Sequence, residues 1–285
     1  MSLRGYVAAI GHIRYLAPKA MKGFFTMADA PATEARLTGT VPLYKSVEAL
    51  NRSKHKNYGV KNIAEPFSFL KGGHFVPALV GEFSMASGSY PIIFLGDKKL
   101  PVLVMGLREG ANVFVTDGQF DNDHYVPAYV RRYPFVSAAN QDAQPSTVCL
   151  DVDAPFIVSE KPDVPFFDEA GEPTEYTNKA VEFVSAFERD AQFTEAFVGR
   201  LIAMDLFDKK SVRVADPKDP EKFITVAEYW GVSEEKFAKL PDAKVAELHK
   251  SGDLFAISAH LMSLQRWERI LRRASQAQPA PAAKA

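Results

Sequence analysis

The stretch Pro91–Phe135, PIIFLGDKKLPVLVMGLREGANVFVTDGQFDNDHYVPAYVRRYPF, decides how the chain is read. It holds three apolar runs: Ile92–Leu95, Val102–Leu107 and Val113–Thr116. Gly96-Asp-Lys-Lys and Arg108-Glu-Gly110 separate them, and links this short join neighbouring antiparallel strands. A βαβ crossover needs a dozen or more residues, so the runs predict an antiparallel meander. IIF and VLVM are continuously apolar, which predicts a sheet covered on both faces. An aromatic segment with paired arginines, Tyr125–Phe135, follows, and Pro127 suits the first turn of a short helix.

Working outward, His74–Val80 reads as a strand that Pro77 places at a sheet edge or beside a bulge. Ser46–Leu50 reads as a turn of helix, and Tyr58–Asn62, Thr147–Val152 and Phe156–Ser159 as further strands. Near residue 160 the composition changes. A helix capped by Thr174 or Thr177 runs to about Arg189, with Ala180, Phe183, Val184 and Phe187 on one face. A second is expected from Ala191 to Leu206, striped by Phe193, Phe197, Leu201 and Met204, the two forming a helical hairpin at Asp190. Val212–Val214 and Phe223–Val226 predict a β-hairpin. Ser233 caps a short helix, Gly252 ends another, and Leu254–Arg273 closes the chain as a helix.

The fold class is therefore α+β, a mainly antiparallel sheet core over about 41–160 with C-terminal helices packed on it. One domain is expected over 41–275, β-rich to 160 and helix-rich beyond. Residues 1–40 read as a flexible leader and 276–285 as a disordered tail. Arg4, Arg14, Lys19 and Lys22 are basic and no acid precedes Asp29. That pattern resembles a targeting or surface-seeking segment, although Met27 is the expected natural start.

The chain has 285 residues, 47% hydrophobic and 24% charged, enough to build a core without disulfides or metals. Its net charge of −1 gives no general field for nucleic acid or anionic lipid, so no nucleic-acid partner is expected. No run of about 20 apolar residues predicts a transmembrane segment. Absence of a secretory h-region favours the cytoplasm. Cys149, alone within TVCLDV, reads as a buried, inert thiol.

Walker, GxGxxG, HExxH, GxSxG and CxxC motifs are absent. Two constellations remain. His74, Glu82 and His124 supply the two imidazoles and one carboxylate of a non-haem iron facial triad, holding a single divalent metal ion. Arg131 and Arg132, with Tyr90, Tyr125, Tyr129 and Tyr133, supply forked donors and stacking faces for an anion or glycan. In the competing reading an arginine pairs internally with an acid such as Glu82 or Asp151 while the tyrosines pack.

VPALVGEF (76–83), YPIIF (90–94), PVLVMGL (101–107), YVPAYVRRYPF (125–135), CLD (149–151), FDEAGEPT (167–174) and LMSL (261–264) together resemble the SapC family of bacteria. The resemblance covers about residues 41–270. It implies a non-enzymatic protein without a cofactor, associated with a surface layer or binding a protein or glycan partner. The family has no established catalytic residues to carry over. The alternative is an uncharacterised metal-dependent enzyme using His74, Glu82 and His124.

Overall fold

A computed structural model describes residues 25–26, 41–138, 146–216 and 219–276. The expectations for the rest of the leader and for the tail beyond Gln276 lie outside the described residues. Within the leader, Phe25–Thr26 runs parallel to Ser146–Thr147. The architecture is α+β, with antiparallel sheets and C-terminal helices.

The chain forms two compact units whose segments interleave. One holds residues up to Lys71, Val115–Asn122 and Ala128–Arg189; the other holds Gly72–Phe114, Asp123–Pro127 and Asp190 onward. The division thus follows a different course from the compositional change near residue 160.

In the first unit, strand Ser146–Asp151 pairs antiparallel with both Val47–Ala49 and Phe135–Ala138. The expected helical turn at Ser46–Leu50 is therefore a strand. Its register, Cys149 opposite Ala49 and Asp151 opposite Val47, inserts it into the sheet, and tertiary pairing overrides local preference. Val136, Ala138 and Cys149 pack with Tyr44, Val47 and Ala49 as its core. A smaller sheet places Gly59–Val60 between Ile157–Val158 and Val164–Pro165.

The second unit contains β1 (Phe75–Pro77), α1 (Phe83–Ser87), β2 (Ile92–Leu95) and β3 (Leu100–Val104). Helix α2 (Glu175–Ala203) leads into it, followed by β4 (Phe207–Asp216) and β5 (Asp219–Val232). Then come α3 (Glu234–Ala238), α4 (Asp242–Ser251), α5 (Asp253–Ser263) and α6 (Trp267–Gln276). The strand order is β4-β5-β2-β3-β1, antiparallel throughout. Pro77 sits on the edge strand, as its missing N–H requires.

The meander holds for β2 and β3 and stops there. Val113 donates to Met105 O at 2.8 Å, but Val115–Thr116 turns back on Gln119–Phe120 as a separate hairpin. The place beside β3 is taken by β1, whose Phe75, Val76 and Pro77 face Val104, Leu103 and Val102. Short loops identify neighbours in sequence; they do not exclude an earlier strand from the sheet.

The expected helical hairpin at Asp190 is one uninterrupted helix, α2. No glycine or proline lies near Asp190 to break it, and Thr194 Oγ1 bonds back to Asp190 O at 2.7 Å within the turn. The helix signals further on hold. Ser233 Oγ accepts from Lys236 N at 3.4 Å, and Gly252 ends α4 at φ 79°, the left-handed conformation glycine adopts without steric cost.

Candidate functional site

The cationic-aromatic corner is assembled in the first unit, and it is buried. The Arg132 guanidinium lies 4.4 Å from the Tyr129 ring and 4.2 Å from the Phe187 ring, with Glu188 at 3.8 Å. Arg131, also buried, stands 5.1 Å from Phe183. The acid that Arg132 meets is thus Glu188. Its cation is held by ring faces, which attract a desolvated guanidinium.

The tyrosine hydroxyls face inward as well. Tyr129 donates to Pro42 O at 2.8 Å, Tyr44 to Phe135 O at 2.8 Å, and Tyr133 to Asp151 Oδ2 at 3.1 Å. Asp151, fully buried, also accepts from the backbone N–H groups of Lys45 (3.0 Å) and Ser46 (2.9 Å). Burial pushes the Tyr44, Tyr129 and Tyr133 hydroxyls upward, and Asp151 reinforces this at Tyr133, so they remain protonated donors. The corner fastens residues 41–46 to the unit. Tyr90 and Tyr125 belong to the other unit, where Tyr90 is fully buried, its hydroxyl donates to Tyr125 O, and Tyr125 N donates to Ser89 Oγ at 3.1 Å.

His74, Glu82 and His124 all lie in the second unit, each engaged locally. Glu82 is buried, and its Oε1 accepts from Leu79 N at 3.0 Å. His124 Nε2 lies 2.9 Å from Arg273 Nη2; arginine only donates, so that nitrogen is the acceptor, and the ring packs on Phe114 at 5.0 Å. His74 stacks edge-on against Phe75 at 4.5 Å, and burial lowers its pKa. Among the described residues no group of three His, Cys, Asp or Glu side chains could hold a metal. The facial triad is not assembled, because helix capping and an arginine contact have oriented two of its members.

A cleft between α2, α4 and α5, continued by the Val80–Ser84 segment, is the feature the sequence reading missed. One compartment, about 320 Å³, is lined by Val80, Phe83, Phe193, Phe197, Phe255 and Ala256, with Ser84 and Asp253 among them. The other, about 520 Å³, has Met204, Leu240, Pro241 and Leu248 with Asp205, Lys244 and Glu247. Arg200 and Ser251 line both. Phe83 and Phe197 are buried, their rings 5.9 Å apart. Phe193 is 66% exposed and Phe255 68%.

Arg200 forms a forked pair with Asp253, Nε to Oδ2 at 2.6 Å and Nη2 to Oδ1 at 2.8 Å. The Asp253 side chain is 5% exposed and that of Arg200 41%. The pair raises the pKa of Arg200 and fixes its guanidinium plane. Helical spacing puts Phe193 and Phe197 on one stripe, of which Phe197 is buried and Phe193 is not. Nothing in the spacing marks Phe193 as the end of the stripe that runs past the core.

No helix among the described residues is long and apolar enough to cross a membrane. No curated protein and no solved structure matches the chain. The SapC family model matches residues 50–270, which span both units and the cleft. The chain belongs to the SapC family.

Proposed function

We propose that this chain is a non-enzymatic binding protein whose contact surface is the α2–α4–α5 cleft, and that it acts in association with a surface layer. The observation that supports the binding reading is the pair Phe193 and Phe255, each about two-thirds exposed beside the same apolar compartment. Burying one such side chain contributes about 1.5–3 kcal/mol, which the isolated chain forgoes twice within one small area. An occupant that covers both recovers that free energy. The surface-layer setting is carried by family membership alone.

Titration with a neutral, environment-sensitive apolar dye tests the binding reading. One dye is expected to bind per chain, with binding lost in the Phe193→Ser/Phe255→Ser double variant. Absent uptake, or uptake unchanged in that variant, would overturn it. Fractionation of native cells tests the setting: recovery with the surface layer supports it, and recovery only in the cytosol refutes it.

A further inference from the structure

We infer that the free edge of β4 takes an extended acidic peptide from a partner protein, added as a further strand with its carboxylates opposite Lys209 and Arg213. This docking edge is separate from the cleft and does not rest on it.

β4 ends the strand order β4-β5-β2-β3-β1, and among the described residues no strand lies on its outer side. It is ten residues long and contains no proline. At both register shifts the extra residues belong to β5, so β4 itself runs unbroken. Native edges are usually kept short or interrupted, because their unpaired N–H and C=O groups template a new strand.

Which groups face outward follows from the pairing. Phe207 stands opposite Val232, yet Phe207 O accepts from Lys236 Nζ at 3.1 Å and Val232 N donates to His260 Nε2 at 3.0 Å. The two residues thus turn their backbone groups away from each other. Alternation along an antiparallel ladder then directs the N–H and C=O groups of Lys209, Ser211 and Arg213 outward. Their side chains are exposed together on one face. An added strand would exchange hydrogen bonds with these three residues and set its own side chains directly beside theirs.

Charge selects the strand. Lys209 and Arg213 form no ion pair among the described residues. Trp230, across from Lys209, has the Lys99 ammonium 3.7 Å and the Lys209 ammonium 5.5 Å from its ring. On this face Glu228, opposite Ser211, stands against Lys99, Lys209 and Arg213. Asp208, on the other face, is already held by Lys236 at 2.9 Å. That other face offers half-buried Val212 and Val214, with Ile224 across from Val214, so apolar residues suit the intervening positions of the peptide.

A second copy fits badly. Two-fold pairing of β4 with itself keeps like faces together. A register centred on Lys209, Lys210 or Arg213 sets that residue against its own copy. One centred on Ser211 sets Lys209 against Arg213, and one centred on Val212 sets Asp208 against Asp216. Like charges directly opposite destabilise each of these pairings.

Fluorescence anisotropy on the full chain with labelled Thr-Val-Glu-Val-Thr-Val-Glu-Thr tests the assignment, against the same peptide with lysine for both glutamates. The acidic peptide is expected to bind one per chain, at least tenfold tighter than the basic one. No binding, or equal or tighter binding of the basic peptide, overturns the proposal. The Lys209→Glu/Arg213→Glu variant, altered only at exposed side chains, should reverse the preference; an unchanged preference refutes the β4 edge. Bound peptide should slow hydrogen exchange at the amides of Lys209, Ser211 and Arg213, and protection confined to other elements refutes the site. Protection of those amides that rises with the concentration of the chain alone would give the edge to a second copy instead. The Phe193→Ser/Phe255→Ser variant should bind the peptide as wild type does; loss of binding there would place the peptide in the cleft and overturn the assignment.

Discussion

His260 on α5 joins two neighbouring strands: its Nδ1 lies 2.8 Å from Ile92 O, and its Nε2 accepts from Val232 N at 3.0 Å. A backbone N–H can only donate, so Nε2 carries the lone pair and Nδ1 the proton. One turn on, Ser263 Oγ accepts from Ile92 N at 2.9 Å and donates to His260 O at 2.6 Å. Both backbone groups of Ile92 are thereby satisfied by α5 side chains, in a place that no strand occupies.

The neutral ring makes stability depend on pH. Burial lowers the His260 pKa from 6.5 to about 4. Above pH 6.5 neither folded nor unfolded chain protonates this site. Between 6.5 and 4 only the unfolded chain takes the proton, so stability falls as pH drops through that window. The expected loss is about 3 kcal/mol at pH 4 relative to pH 7. Urea unfolding of wild type and His260→Gln measures it, and the variant should lose this part of the pH dependence.

Asp151→Ala should release the 41–46 segment. It strands the Lys45 and Ser46 N–H groups and the Tyr133 hydroxyl. The expected cost is about 3 kcal/mol, since a buried donor left without its acceptor loses its full desolvation penalty. Hydrogen exchange at Lys45 and Ser46 should accelerate well beyond that at Cys149.

Gly106→Ala should damage the second unit severely. An added Cβ would stand 1.7 Å from Ala111 O, 2.9 Å from its carbonyl carbon and 3.3 Å from His74 Cβ, and the first two are backbone atoms. A loss of about 3 kcal/mol or more is expected from that overlap. Gly199→Ala is the contrast: no atom lies within 4 Å of its added Cβ, so α2 should gain up to about 1 kcal/mol. Thermal unfolding of the two variants should move in opposite directions.

Cys149 should resist thiol reagents in the native state. It is buried and free, and burial pushes its thiol up to about 11. Reaction with a disulfide reagent at pH 8 is expected to proceed at the rate of unfolding. A fast stoichiometric reaction before unfolding would refute it.

Much of the local structure was legible residue by residue. Pro77 marked an edge, Gly252 a helix end and Ser233 a cap, because each acts through its own backbone or that of the next turn. Ser46–Leu50 misled because its strand is created by partners about 100 residues away, at Cys149–Asp151. Asp190 misled for a different reason. A polar residue between two apolar stripes resembles a boundary, yet aspartate lacks the missing N–H of proline and the backbone freedom of glycine.

Residue types did not show which way the ligand and metal candidates point. Residue types showed that Arg132, Tyr129 and Tyr133 carry donors and ring faces, while the packing around Phe187, Pro42 and Asp151 turned them inward. The same held for Glu82, drawn back to Leu79 N, and His124, set against Arg273.

The amino-acid order alone determined the α+β class, the antiparallel β2–β3 hairpin, the capped helices and family membership, since these depend on neighbouring residues and short motifs. Tertiary structure decided which strand lies beside β3, that the arginine-tyrosine corner is internal, and that Phe193 and Phe255 flank one cleft. Those outcomes depend on which side chains leave water together, and that is settled only when distant segments pack.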